Sequence, residues 1–175
     1  MLYVALLRGI NVGGKTKVPM AALRDTCASV GCEDVVTYIQ SGNVVLRSSL
    51  TADGLRATLE AAIADQLGVG PAVMIRTAKE MAAVVDRNPF PEADEKNLHV
   101  GFLHAAPATP VKKCLAAIDC DPEQLTVVGR ELYLHLPNGM GRAALPVPME
   151  RCLRPSSVTV RNWRTVTKLV ELSGG

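Results

Sequence analysis

The stretch Leu2-Tyr-Val-Ala-Leu-Leu-Arg-Gly-Ile-Asn-Val-Gly-Gly-Lys-Thr-Lys-Val-Pro19 decides the fold. Leu2 to Leu7 is an unbroken apolar run and reads as a buried strand. Arg8 to Val18 is a glycine-rich loop in which Gly9 to Thr16 formally matches the phosphate loop G-x-x-x-x-G-K-[ST]. In such loops the helix begins at the lysine, so that its N-terminal amides cradle phosphate. Here Pro19 would fall one turn inside that helix, its ring against the Lys15 carbonyl, at a cost of about 3 kcal/mol. The helix is therefore expected to start at Pro19, where proline is tolerated. The match is read as chance, and the sheet as antiparallel rather than parallel.

The rest of the first half follows from this start. Met20, Leu23, Cys27 and Val30 form the apolar stripe of the first helix, which Gly31 stops. Asp34 to Ile39 and Asn43 to Arg47 read as two strands joined through Ser41-Gly42. Thr51 caps a second helix with Leu55, Leu59, Ile63 and Leu67 on its core face and Gly68 at its end. Ala72 to Arg76 is a strand. Thr77 and Glu80 have the spacing of a capping box, which opens a third helix carrying Met81, Val84 and Val85 inward. The order β-α-β-β-α-β is ferredoxin-like, with two helices on one face of an antiparallel sheet.

The proline-rich, acidic stretch Asn88 to Lys96 is the candidate boundary, and the opening order then repeats. Leu98 to Leu103 is a strand, Thr109-Pro110 starts a helix through Ile118, and Leu125 to Val128 pairs with Glu131 to Leu136 around Gly129-Arg130. Leu132, Leu134 and Leu136 alternate with Tyr133 and His135, which predicts one buried and one wetter face. A short helix is expected within Pro146 to Pro155. A last helix is expected over about Val160 to Leu172, with Trp163, Val166 and Val170 inward. The fold class is α+β: two ferredoxin-like β-α-β-β units with mainly antiparallel sheets and helices packed on one face. The units are expected over 1–87 and 97–175, as two domains or one composite domain.

The 175 residues are 48% apolar and 21% charged, ordinary values for a globular chain. A net charge of +2 argues against a dedicated nucleic-acid protein. No apolar run approaches a membrane span, and Met1 to Leu7 is too short for a secretory segment, so a cytoplasmic location without a membrane partner is expected. The five cysteines, Cys27, Cys32, Cys114, Cys120 and Cys152, form no Cys-x-x-Cys pair. All are expected reduced, with Cys27 buried beside Met20 and Leu23, and Cys114 buried beside Val111 and Ile118. No metal or cofactor is implied.

Arg8-Gly-Ile-Asn-Val-Gly-Gly-Lys15, Lys17-Val-Pro-Met20 and Thr37-Tyr-Ile-Gln-Ser-Gly-Asn-Val-Val45 resemble the signature of the domain of unknown function 1697 family. Asn88-Pro-Phe90 and Thr159-Val-Arg-Asn-Trp163, with Thr165-Val166 and Lys168-Leu169, match its later motifs. The resemblance spans nearly the whole chain and implies an α+β fold with ferredoxin-like units and no particular activity. After Gly139-Met-Gly141-Arg142 the family usually has Ser-Lys-Leu, where this chain has Ala143-Ala144-Leu145.

One polar surface stands out. A loop with Arg8, Asn11, Lys15 and Lys17 offers backbone N–H groups and cations to an anion, while its glycines also suit a plain solvated connection. Gln40 and Asn43 are expected to point at the same loop. Gln40-Ser41-Gly42-Asn43 lacks the strand-to-helix setting of a nucleophile elbow and reads as a hairpin turn. His99, His104 and His135 are not near it in sequence. Residues 142 to 171 carry six basic and two acidic side chains, and Arg161, Arg164 and Lys168 are expected on one helix face. Arg161 and Asn162 are expected to extend the surface. The expected partner is an anionic small molecule, phosphate-bearing, or a nucleic-acid backbone. Base stacking is disfavoured, because aromatic residues are 3% of the chain. The alternatives are an enzyme acting on a phosphorylated or acyl substrate without metal, and an interaction module pairing through a sheet edge. No nucleophile, base or metal cluster supports the enzyme, and the sequence does not set the oligomeric state.

Overall fold

In the computed structural model, which describes residues 1–13 and 17–174, the elements run β1 (Leu2–Leu7), α1 (Met20–Ser29), β2 (Glu33–Tyr38), β3 (Asn43–Arg47), α2 (Ala52–Leu67), β4 (Val73–Thr77) and α3 (Ala78–Asp86). They continue β5 (Leu98–Leu103), α4 (Thr109–Ala116), β6 (Gln124–Val128), β7 (Glu131–His135), α5 (Pro146–Leu153), β8 (Val158–Asn162) and α6 (Trp163–Leu172). The sheets are four-stranded and antiparallel, in the orders β2-β3-β1-β4 and β6-β7-β5-β8. The two orders are the same arrangement, with the first strand of each unit central. One compact unit holds Met1–Ala83 and the chain end from Leu169; the other is Val84–Lys168.

In the first unit α1 and α2 cover one face. Tyr3, Ala5 and Leu7 of β1, Val44 and Leu46 of β3, and Val73 and Ile75 of β4 pack with Leu23 and Cys27 of α1 and Leu55, Leu59 and Ile63 of α2. The alternate residues Val4, Leu6, Asn43, Met74 and Arg76 are also buried, which is why β1 has no polar alternation. Local signals set the helix ends. Pro19 precedes α1 in extended backbone. The Thr51 hydroxyl accepts from the Gly54 N–H at 3.2 Å, and Gly68 ends α2 in the left-handed region. The Glu80 carboxylate accepts from the Thr77 N–H at 2.8 Å while the Thr77 hydroxyl accepts from the Glu80 N–H at 3.2 Å, a reciprocal capping box.

The second unit repeats the plan with α4 and α5 over Leu103, Leu132, Leu134 and Val158. Four expectations change here. The last helix does not begin at Val160: residues 158–162 form β8 beside β5. The β-branched run Val158-Thr-Val favours a strand, and the Asn162 side chain accepts from the Thr165 N–H at 2.9 Å, so the helix starts at Trp163. On that helix Leu169, not Val170, is fully buried. The outer side of β7 is not wet at Tyr133, which is buried and donates its hydroxyl to the Val84 carbonyl at 2.8 Å.

The fourth change is in the cysteines. Cys114 and Cys152 form a disulfide between α4 and α5, and Cys114 is exposed rather than buried. Leu115, one residue on, takes the core position between partly buried Val111 and Ile118, and this turns Cys114 out toward α5. Cys27, Cys32 and Cys120 are free, with Cys27 buried as expected. Among the described residues no helix is long and apolar enough to cross a membrane.

Candidate functional site

The end of β1 is held on both sides. The Leu7 N–H donates to the Gly42 carbonyl at 2.8 Å, and the Arg8 N–H donates to the Ala72 carbonyl at 2.9 Å. Gly42 has φ +74°, and a Cβ there would lie 2.8 Å from both Ile10 Cδ1 and Leu7 Cβ. The loop after β1 therefore packs directly on the β2–β3 turn. Asn11, itself at φ +55°, fixes the next step. Its Nδ2 donates to the Val18 carbonyl at 3.0 Å and to the Gln40 carbonyl at 2.7 Å, and its Oδ1 accepts from the Val18 N–H at 2.8 Å. One amide closes the loop between residues 11 and 18 and fastens it to the hairpin turn.

The site residues expected from sequence thus separate into two kinds. Asn11 and Asn43 are structural: Asn43 is fully buried, and its Nδ2 donates to the Tyr38 carbonyl at 3.1 Å and to Ser41 Oγ at 2.9 Å. Arg8, Lys17 and Gln40 are exposed on this same assembly. Lys15 lies outside the described residues. Arg161 and Asn162 belong to the other unit. Arg161 is not on a helix face with Arg164 and Lys168. It sits in β8, only 8% exposed, donating to Thr159 Oγ1 at 2.8 Å and to the Val160 carbonyl at 3.0 Å. Burial pulls its guanidinium down to about 10, which leaves it charged at neutral pH.

Beside Arg8 lies a half-open cleft of about 330 Å³, lined by Arg8, Gly9 and Ile10 from one loop and Gly68, Val69, Gly70 and Pro71 from the other. The second loop had been legible only as a helix stop. A Cβ on Gly9, Gly68 or Gly70 would have no atom within 4 Å. Gly9 and Gly68 need glycine for their positive φ angles. Gly70 lines the cleft without such a need, and a Cβ there would enter open space. The cleft lies just beyond the C-terminal end of α2, the negative pole of the helix. Arg8 is favoured there. The chemistry is mixed: a cation for an anionic group, and a helix pole that favours hydroxyl or amine donors.

Elsewhere, the loop with Ala143-Ala144 is held by Glu123, whose carboxylate accepts from the Ala144 N–H at 3.0 Å and the Leu145 N–H at 2.8 Å. Ala144 is exposed, so its side chain leaves no contact missing inside the unit. Among the described residues no cluster of histidine, cysteine and acidic side chains could hold a metal.

Comparison with known proteins gives a family and a fold. The family described as "Protein of unknown function (DUF1697)" matches residues 1–133. No curated protein matches the chain. The solved structure of the conserved bacterial protein SP0830 from Streptococcus pneumoniae is similar, with 26% identity, a TM-score of 0.77 and 98% of each chain covered.

Proposed function

Since the chain belongs to the DUF1697 family, whose description names no activity, its function has to be argued from its own residues, and we propose that its first unit binds a small phosphate ester in the cleft beside Arg8. The observation that carries this reading is the pairing of exposed Arg8 with glycine backbone on both walls of a cleft of about 330 Å³. That volume is at the low end of small-molecule sites, which run to roughly 300–1,000 Å³. A guanidinium can engage phosphate through two parallel N–H bonds. The backbone of Gly68 to Pro71 on the other wall suits the hydroxyls of a sugar or glycerol part. Lys17 and Gln40 do not line the cleft and would act on a longer ligand only, Lys17 through its charge.

Calorimetric titration with sugar phosphates, nucleoside monophosphates and inorganic phosphate tests this. Binding that weakens with added salt is expected. Arg8→Ala should weaken it about 10- to 100-fold, the size of a lost charge-assisted hydrogen bond. Gly70→Val should abolish it while leaving the melting temperature unchanged, because its side chain enters open space. Equal binding by Gly70→Val refutes the site. Affinity that grows with oligonucleotide length, with no binding of monomeric esters, would replace it with a nucleic-acid backbone surface.

A further inference from the structure

The second unit carries a different opening. A cleft of about 320 Å³ lies between α4 and β6, lined by Lys112, Leu115 and Ala116 on one side and Leu125, Thr126 and Val127 on the other. Its walls are largely aliphatic, and Lys112 is exposed at the rim. Among the described residues Lys112 pairs with no acid.

Helix α4 is a poorly anchored wall. It has eight residues, only Leu115 is fully buried, and no side chain caps its N-terminus. A helix this short has little stability of its own and depends on what it packs against. Beyond Leu115 and partly buried Val111, α4 is tied by the Cys114–Cys152 bond to α5, on the neighbouring face of the helix. Cys114 is exposed, so an external thiol can reach it.

We propose that the cleft between α4 and β6 binds a medium-chain carboxylate, and that the Cys114–Cys152 disulfide holds this site in shape. The aliphatic chain lies along Leu115, Leu125 and Val127, and the carboxylate meets the Lys112 ammonium. The charge at the rim selects an anion over a neutral lipid, and the small volume selects a single chain. The oxidised protein has both walls fixed and binds at low ordering cost. Reduction frees α4 and loosens one wall. The step balances with an external thiol or dithiol. A thiolate attacks Cys114 Sγ, and the S–S electron pair leaves on Cys152 Sγ, which takes a proton. A second thiolate then attacks the external sulfur of the mixed disulfide and releases Cys114, which takes a proton in turn. The protein gains two thiols, and the reductant departs as its own disulfide.

The test uses the whole chain, oxidised or reduced with dithiothreitol. Thiol titration after unfolding should find three thiols in the oxidised protein (Cys27, Cys32 and Cys120) and five after reduction. Calorimetry should show decanoate binding to the oxidised form, with decanol at least about tenfold weaker. Lys112→Ala should match that loss, while Lys113→Ala, one residue along and outside the cleft lining, should bind as the parent does. Reduction, or the double variant Cys114→Ser/Cys152→Ser, should weaken decanoate by about tenfold or more. Amide exchange in residues 109–116 should accelerate in both, with β5 and β7 unchanged. Decanoate that fails to bind, or binds both redox states equally, overturns the proposal. So does equal amide exchange in the two states or an unaffected Lys112→Ala.

Discussion

Gly42→Ala measures how firmly the loop after β1 is seated on the hairpin turn. The added methyl meets two penalties. At φ +74° an L-residue costs roughly 1–2 kcal/mol over glycine. The Cβ would also stand 2.8 Å from Leu7 Cβ and from Ile10 Cδ1, and 2.9 Å from Ile10 Cγ1. The Ile10 chain end could turn aside only into a packed core, and Leu7 Cβ is fixed by the backbone of β1. Such overpacking costs about 1–3 kcal/mol. Together the substitution should destabilise by about 2–5 kcal/mol. Gly31→Ala separates the two terms. Gly31 is in the same unit at φ +85°, with nothing within 4 Å of its Cβ, so it should cost only the conformational part. Urea unfolding followed by far-ultraviolet circular dichroism reads both variants. Because Ile10 also lines the cleft, a Gly42→Ala protein that folds should bind phosphate esters less tightly. If the two variants lose the same stability, the close packing of loop on turn is wrong, and with it the rigidity assumed for the cleft.

Three further outcomes are expected. Asn11→Ala removes three hydrogen bonds and should cost about 2–4 kcal/mol by urea midpoint, with Asn11→Asp in between because it keeps the acceptor for the Val18 N–H. Burial holds the His99 imidazole below its ordinary 6.5, and its Nδ1 is buried without a partner, so the folded state favours the neutral ring. Its contribution is present above pH 6.5 and lost as pH falls, and a melting profile against pH should have a shallower acid limb in His99→Gln. Burial, with Cys32 nearby, pushes the Cys27 thiol up to about 12. Iodoacetamide should therefore not label it in the native protein at pH 8, and the stability it supports should fall as pH rises from 9.0 toward 12.

The parts of the fold legible in sequence were those where one residue type answers one local need. Pro19, Thr51, Gly68 and the Thr77/Glu80 pair set element ends without help from the rest of the chain. The errors fell where tertiary pairing decided. Residues 158–162 have too few turns of either period to distinguish strand from helix, and β5 settled the matter by pairing with them. Cys114 and Leu115 are both apolar neighbours on a short helix, so the core face could not be assigned within one residue. At the candidate site, sequence singled out the loop after β1 but could not tell Asn11 and Asn43, which hold the backbone, from Arg8, which lines a cleft. Nor could it pair residues 8–10 with 68–71, because only the β1–β4 pairing brings those loops together.

The repeated topology allows one more step. In each unit the last N–H of the first strand donates to the carbonyl of the following hairpin turn: Leu7 to Gly42 at 2.8 Å and Leu103 to Arg130 at 3.0 Å. The same joint is therefore made twice, yet the connection leaving it runs over residues 8–19 in one unit and only 104–108 in the other. The short connector shows what the topology requires, and the long one exceeds it. Part of the excess is structural, since Ile10 and Val18 are buried in the core and Asn11 ties the loop shut. That accounts for the residues that hold the loop and not for exposed Val12, Gly13 and Lys17. Of the described loop residues, Ile10, Asn11 and Val18 hold the backbone, so Val12, Gly13 and Lys17 are the ones open to a role beyond the fold, as surface loop residues on a fixed scaffold are.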